Sequence, residues 1–144
     1  PRIRKEPFAD TAEHLPADIL LIQGAPHDWL FPRMALVVHH GGVGTVAAAL
    51  RAGVPQVVVP FSADQPLWAE MVYQRGAGPR PLPRSRLQAT RLAATLTATL
   101  HDASLHRRVR NLAEAVQRED GVGKAVEIVS KIRKISLATT RPIR

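Results

Sequence analysis

No stretch limits the fold of this chain more than Val37-Val38-His39-His40-Gly41-Gly42-Val43-Gly44-Thr45, an apolar segment, two histidines and a glycine-rich turn leading toward Ala47, Ala48, Ala49 and Leu50. The order predicts a strand that delivers a loop to the start of a helix. Glycines at 41, 42 and 44 let backbone amides approach a ligand closely, and a helix N-terminus carries unpaired N–H groups with partial positive charge. Such a turn favours an anion, above all a phosphate. Thr45 adds a hydroxyl donor, and His40, at the end of the strand, adds a ring N–H. The competing reading of the same residues is packing alone, because a glycine turn also lets a helix lie close against a sheet.

The 144 residues, 45% of them apolar, suit one domain with its own core. There is no cysteine, so disulfides, thiolate metal sites and a thiol nucleophile are excluded. No apolar run approaches the ~20 residues of a membrane span, and Pro1-Arg2-Ile3-Arg4-Lys5-Glu6 lacks the apolar core of a signal peptide. A soluble cytoplasmic protein is expected. The net charge of +8 invites a polyanion, but the arginines are scattered before they gather at Arg107, Arg108, Arg110 and at Lys131, Arg133, Lys134. One Tyr, three Phe and two Trp are too few for a base-stacking platform, so nucleic acid is not an expected partner. Peripheral contact with anionic lipid, or with an acidic neighbouring domain, is the secondary expectation from this charge.

Residues 1–15 mix prolines and charges without periodicity and read as an irregular lead-in; 16–137 read as the folded domain and 138–144 as a frayed tail. Ala17 to Gln23, bounded by Pro16 and Gly24, has the apolar run of a buried parallel strand. Asp28 is placed to cap a short helix in which Trp29 and Phe31 pack and which Pro32 ends. Ala35 to His39 is the second strand. The helix after the turn carries Val46, Ala49 and Leu50 on one face and ends at Gly53. Gln56 to Pro60 supplies a third strand, and Phe61 to Pro66 a loop in which Asp64 or Ser62 starts the helix through Trp68, Met71 and Val72. Gly76 and Gly78 stop that helix, and Gly78 to Leu82 reads as a last short strand. From Pro83 the pattern is helical only: Leu87, Leu92, Leu96 and Leu100, then Leu105, Val109, Leu112 and Val116, then Val122, Val126, Val129 and Ile132, with breaks at Asp102 to Ser104 and Asp120 to Gly123. The fold class is therefore α/β, a Rossmann-like parallel sheet followed by C-terminal helices, with ligands at the carboxyl ends of the strands. Three loops fall there: Gly24 to Asp28, His39 to Thr45, and Phe61 to Gln65.

Together these loops resemble the C-terminal, donor-binding half of GT-B-fold glycosyltransferases, the nucleotide-sugar-dependent class of plant, macrolide and sterol glucosyltransferases. His40, Gly42, Thr45, Gly53, Val54, Pro55, Pro60, Asp64 and Gln65 match in register. Pro26-His27-Asp28-Trp29-Leu30-Phe31 and the His39 to Thr45 turn look most like the sterol 3-β-glucosyltransferase branch. The resemblance implies transfer of a hexose from a UDP-sugar, with inversion, to a hydroxyl of a sterol-like, lipid or other hydrophobic acceptor. It assigns His40, Gly41, Gly42, Gly44 and Thr45 to the donor diphosphate, Asp64 and Gln65 to the sugar hydroxyls, and Gly24, Ala25 and His27 to the nucleobase side. It implies no metal and no cofactor beyond the donor substrate.

The bland readings are that Asp64 only caps its helix, that Trp29 and Trp68 only pack, and that His39 faces the core or the preceding loop. His27, His39 and His40 lack the carboxylate or cysteine that would complete a metal site. Ala48 stands where plant-type relatives carry a ribose-binding Glu, and no Trp near Gly24 stacks a base. The general base and acceptor pocket of the class belong to an N-terminal domain that this chain is expected to lack. The isolated chain is therefore expected to be inactive, with an N-terminal-domain polypeptide or self-association supplying the rest. The rival functions are a non-catalytic nucleotide-diphosphate-binding module and a basic nucleic-acid or membrane adaptor.

Overall fold

The computed structural model describes residues 15–139, with side chains through residue 132. Two short strands form the centre: β1 (Val37–His39) and β2 (Gln56–Val58) pair in parallel, Val37 opposite Gln56, Val38 opposite Val57 and His39 opposite Val58. Two further bonds, Val37 N–H to Pro55 C=O at 3.0 Å and Val59 N–H to His39 C=O at 2.8 Å, extend the ladder past both ends. The crossover between the strands is helix α2 (Val43–Ala52), as the βαβ pattern demands. It stops at Gly53, whose φ of +70° and close approach to α5 (Ala103–Arg118) both require glycine: a Cβ there would lie 3.2 Å from the Ala113 methyl.

Successive residues of β2 face opposite sides, and each side has its own helices. Val58 joins Val46 of α2, Ala69 and Val72 of α3 (Gln65–Gln74), and Leu105 and Val109 of α5 in one core. Val57 and Val59 turn the other way, to Leu82 and to Leu92 and Leu96 of α4 (Ala89–His101). A third cluster packs Phe31, Val37, Ala49 and Val54, tying the segment after α1 (His27–Leu30) to α2. The long pairing of α2 with α5 is anchored by Asp102, whose carboxylate caps α5 by accepting the Leu105 N–H at 2.9 Å. This is the predicted α/β class, mostly helical around a small parallel sheet.

Several expectations are corrected. Ala17 to Gln23 is not a strand: Ile19 N–H closes a turn on Pro16 C=O, and Leu20 is 84% exposed. A strand is held by a ladder partner and a covered face, and among the described residues this segment has neither; β1 pairs only with β2. Gly78 to Leu82 runs along β2, bonded before and at its end through Gln56 N–H to Ala77 C=O and Leu82 N–H to Val58 C=O, both 3.0 Å. It forms no strand because Pro79 and Pro81 have no N–H to continue the ladder. Asp28 lies inside α1 rather than capping it; Pro26 holds the cap position. Phe31 is buried, but Trp29 is 56% exposed, covered by the Arg33 guanidinium 4.6 Å from its ring centre. Leu87 falls in a short 3-10 turn and its exit rather than in α4. The last helix, α6 (Gly121–Thr139), forms as its periodicity predicts, yet Val122, Val126 and Val129 on its apolar face are exposed. The lead-in through residue 14 and the tail from residue 140 lie outside the described residues.

Val109 has no exposed surface and sits where α2, α3 and α5 meet. Val109→Ala should cost about 1 to 3 kcal/mol of stability, whereas Val126→Ala on exposed α6 should stay within about 0.5 kcal/mol. Urea midpoints of the two variants check this.

Candidate functional site

The parallel register brings the carboxyl ends of both strands to one rim, and the loops that leave them meet there. After β1 the chain turns through Gly41, whose φ is +96°. A Cβ on Gly41 would lie 2.9 Å from Val58 Cγ1 and 3.2 Å from the Gln65 carbonyl oxygen. Only glycine permits this contact, which sets the His39 to Thr45 turn directly against the Phe61 to Gln65 loop. Gly42, at an ordinary φ of −60°, makes room for the exposed His40 ring, whose Nε2 lies 2.7 Å from where a Cβ would be, so a side chain there would displace His40. Gly44 has open space around it and no positive φ. Thus Gly41 is a requirement of the backbone, Gly42 a requirement of the His40 position, and Gly44 leaves the wall of the cleft open.

Helix α2 begins at Val43 with Gly42 as its N-cap, which has no side chain to offer, and the first helical bond is Val46 N–H to Gly42 C=O. The N–H groups of Val43, Gly44 and Thr45 therefore have no intrahelical acceptor. His40 is exposed beside them. The Gly41 N–H is not among the free donors, since it donates to His39 Nδ1 at 3.0 Å. His39 in turn meets Gln56 Oε1 through Nε2 at 2.9 Å, so both of its ring nitrogens are engaged inside the protein. Burial pushes the His39 imidazole below its ordinary value, the Gln56 bond opposes this, and the neighbouring His40 and His27 lower it further.

On the facing loop, Asp64 occupies the N-cap position of α3, but its carboxylate does not bond the helix backbone. Asp64 Oδ2 instead accepts the Trp68 indole N–H at 2.7 Å. Trp68 is half-buried against the core and orients Asp64, so it does more than pack. Gln65 folds back on its own loop, Oε1 accepting the N–H groups of Phe61 at 2.8 Å and Ser62 at 3.1 Å. Between them Ala63 sits at φ +56°, a left-handed conformation that costs a non-glycine residue of order 1 kcal/mol.

A cleft of about 720 Å³ opens on the other flank of α2, where Ala25 and His27 face Gly44, Ala48 and Arg51. His27 is held there by stacking on Phe31, ring centres 4.4 Å apart. Gly24 does not line the cleft, and neither do Asp64 and Gln65, which lie across the turn from it. The predicted residues thus divide into a cleft set and a rim set that share the N-terminus of α2. Three participants escaped the sequence reading. Arg51 lines the cleft, and Gln117 reaches it from α5, donating to the Arg51 carbonyl at 2.7 Å. Gln56, fully buried in β2, is the third; a lone amide leading a run of valines was its signal, because a buried polar side chain must find partners. Among the described residues no group of three or more His, Asp or Glu side chains could hold a metal ion.

A parallel sheet with helices on both faces and an uncapped helix N-terminus at the strand ends define the C-terminal, Rossmann-like domain of a GT-B-fold glycosyltransferase. The chain belongs to the family of erythromycin biosynthesis protein CIII-like C-terminal domains, which matches residues 4–135. It is 40% identical over 120 residues to a sterol 3-beta-glucosyltransferase of Arabidopsis thaliana, a match covering 83% of this chain and 19% of that protein. It is 45% identical over 117 residues to O-mycaminosyltylonolide 6-deoxyallosyltransferase of Streptomyces fradiae, covering 81% of this chain and 28% of the relative. Among solved structures, glycosyltransferase VinC in complex with DTDP superposes with a TM-score of 0.74 at 29% identity, over 85% of this chain and 32% of VinC. The glycotransferase of kitacinnamycin gives 0.76 at 26% identity, over 83% and 31%. The chain therefore spans between 19% and 32% of the length of these four relatives.

The glycines make separable predictions. Gly41→Ala should cost about 2 to 4 kcal/mol, from its positive φ and its contacts with Val58 and Gln65. Gly44→Ala, inside α2, should be neutral or stabilise by up to about 1 kcal/mol. Denaturant melts of both variants provide the check.

Proposed function

We propose that this chain is the donor-binding domain of an inverting glycosyltransferase that passes a hexose from a UDP-sugar to a hydroxyl of a sterol-like, lipid or other hydrophobic acceptor. The observation that carries the reading is the open N-terminus of α2, where the N–H groups of Val43, Gly44 and Thr45 have no capping side chain, His40 is exposed beside them and Gly44 lines the cleft. As the acceptor oxygen bonds to the anomeric carbon and gives its proton to a general base, the bond to the diphosphate oxygen breaks on the opposite face and its electron pair stays on the diphosphate. Fixed donors aimed at that growing charge lower the barrier without reorganising. His40 and Thr45 serve the diphosphate, together with the N–H groups that follow Gly42. Asp64, steadied by Trp68, accepts hydrogen bonds from sugar hydroxyls, and Gln65 offers its amide N–H beside it. Ala25 and His27 flank the nucleobase, with Gly24 on the approach to them. No metal is needed where a helix N-terminus and a histidine already neutralise the leaving group. In this reading the acceptor pocket and the general base belong to the N-terminal domain of the complete enzyme.

The sterol branch is favoured by the relative from Arabidopsis thaliana, and a nucleoside diphosphate by the VinC complex with DTDP. Calorimetric titration with UDP-glucose and dTDP-glucose tests the donor reading. Saturable binding is expected, with UDP-glucose the tighter; Thr45→Val should weaken it by about 1 to 3 kcal/mol, and His40→Ala should do so as well. Asp64→Ala should weaken UDP-glucose more than UDP. Binding that ignores His40 and collapses with added salt would replace this reading with a basic surface that attracts polyanions unspecifically.

A further inference from the structure

We propose that His39 and Gln56 are positioning residues, a buried pair that locks the turn carrying His40 and the N-terminus of α2 without touching the ligand. The proposal rests on the donor reading of that turn. Its geometry is a chain of three hydrogen bonds with a backbone group at each end: Gly41 N–H to His39 Nδ1 at 3.0 Å, His39 Nε2 with Gln56 Oε1 at 2.9 Å, and Gln56 Nε2 to Val46 C=O at 3.4 Å. The end groups fix every role between them. An amide N–H can only donate, so Nδ1 must be the bare nitrogen and the proton of the neutral ring sits on Nε2. That proton needs an acceptor, which is the Gln56 carbonyl oxygen, and the Gln56 amide then faces the only group it can serve, the Val46 carbonyl. Gln56 has no exposed surface, so neither a flipped amide nor water can take over these bonds.

The lock acts on a glycine, the residue type with the widest backbone freedom. Gly41 is held at φ +96° by its packing and by this bond, and an unpaired Gly41 N–H would remove the directional part of that restraint. Held by His39, it stays against Val58 and the Gln65 carbonyl, and its two chain neighbours are fixed with it: His40 before it lies over Gly42 after it. The same bond joins three elements, since His39 ends β1, Gln56 begins β2 and Val46 lies in the first turn of α2.

Protonation undoes it. An imidazolium carries hydrogen on both nitrogens, so Nδ1–H would oppose Gly41 N–H. The ionisable groups facing His39 are His40 beside it and His27 from α1; β2 and α2 present the neutral Gln56 amide and Val46 carbonyl, with no carboxylate to favour the charge. Because the folded value is depressed below 6.5, the contribution of the lock is complete above that pH and is lost as pH falls through the lower folded value. Comparing the wild type with His39 variants over pH isolates the share that this ring contributes.

The test uses UDP-glucose, whose diphosphate has no ionisation near neutrality, titrated from about pH 7.5 to about pH 5. His39→Phe should weaken binding at least about tenfold at neutral pH, as expected for a lost positioning bond. His39→Asn, whose Oδ1 stands near the place of Nδ1, should recover most of that loss. As pH falls through the depressed folded value of His39, wild-type affinity relative to His39→Asn should fall toward the level of the His39→Phe variant. Imidazole ¹⁵N shifts of the wild type should show the Nε2–H form at neutral pH, and the Gly41 amide should titrate with His39. A ring found in the Nδ1–H form, a Gly41 amide indifferent to His39, or equal losses in the Phe and Asn variants would overturn the lock. If the ¹⁵N and amide signatures appear but UDP-glucose does not bind, the lock stands as a structural fact and the donor reading of the site falls.

Discussion

The parallel register that sets His39 opposite Val58 is the constraint on which the rest of this molecule depends. A parallel pair cannot be joined by a tight turn, so the chain must cross over, and the crossover becomes α2. Both strands then end on the same rim, and whatever follows them is forced into company: His40 and the glycine turn after one, the Pro60 to Gln65 loop after the other. The contact of Gly41 with the Gln65 carbonyl is the direct consequence. Had the pairing slipped by one residue, the valines of β2 would have exchanged faces, taking Val58 out of the α3 and α5 core and Gln56 away from His39. One register thus determines the cores, the meeting of the loops and the buried polar chain together.

Much of this was legible in the amino-acid sequence, because the strongest signals are local. The valines of β2, the periodic face of α2 and the glycine at position 53 each state their conformation within a few residues, and the two strands with their crossover follow. What failed was non-local. Ala17 to Gln23 has strand composition, but composition does not provide a ladder partner, and its exposed leucines and isoleucines show that none is present among the described residues. Gly78 to Leu82 failed for the reverse reason: it lies beside β2 as a strand would, while its prolines deny it the donors. Trp29 was misjudged because aromatic size argues for burial, whereas an Arg33 guanidinium covers its face in solvent. Of the candidate site, sequence could name the turn and the facing loop, but not that Gly41 is sterically obligatory while Gly44 is not, nor that Asp64 would be held by Trp68 instead of capping α3.

Gln56 shows why the rest was hidden. Hydrophobic-pattern reading treats a polar residue at the head of an apolar run as the boundary of the strand, yet here it is as fully buried as Val57 beside it. A buried amide is tolerated only if each of its groups is satisfied, and satisfying them requires partners far away in sequence: His39, seventeen positions earlier, and Val46 on the crossover helix. A valine at position 56 would suit the core better on hydrophobic grounds alone. The amide is accounted for by the turn it supports and not by the sheet it belongs to.

The charge pattern of the rim follows the same logic. An N-terminus with three open N–H groups attracts any nearby carboxylate, and a carboxylate that capped α2 would occupy the position an anionic ligand needs. Gly42 at the N-cap carries no side chain, and Asp64, on the facing loop, has its carboxylate turned to the Trp68 indole. The Gln65 oxygen is likewise taken by its own loop, through the N–H groups of Phe61 and Ser62. The helix start is therefore kept open by tying down the acceptors around it, while the donors, His40 and the first turn of α2, remain free. α5 is different, since it begins under the Asp102 carboxylate, which bonds the Leu105 N–H. An uncapped start alone does not set α2 apart, because α3 and α4 also begin without a side-chain cap; its distinction is the buried His39 and Gln56 pair that ties its first turn to both strands.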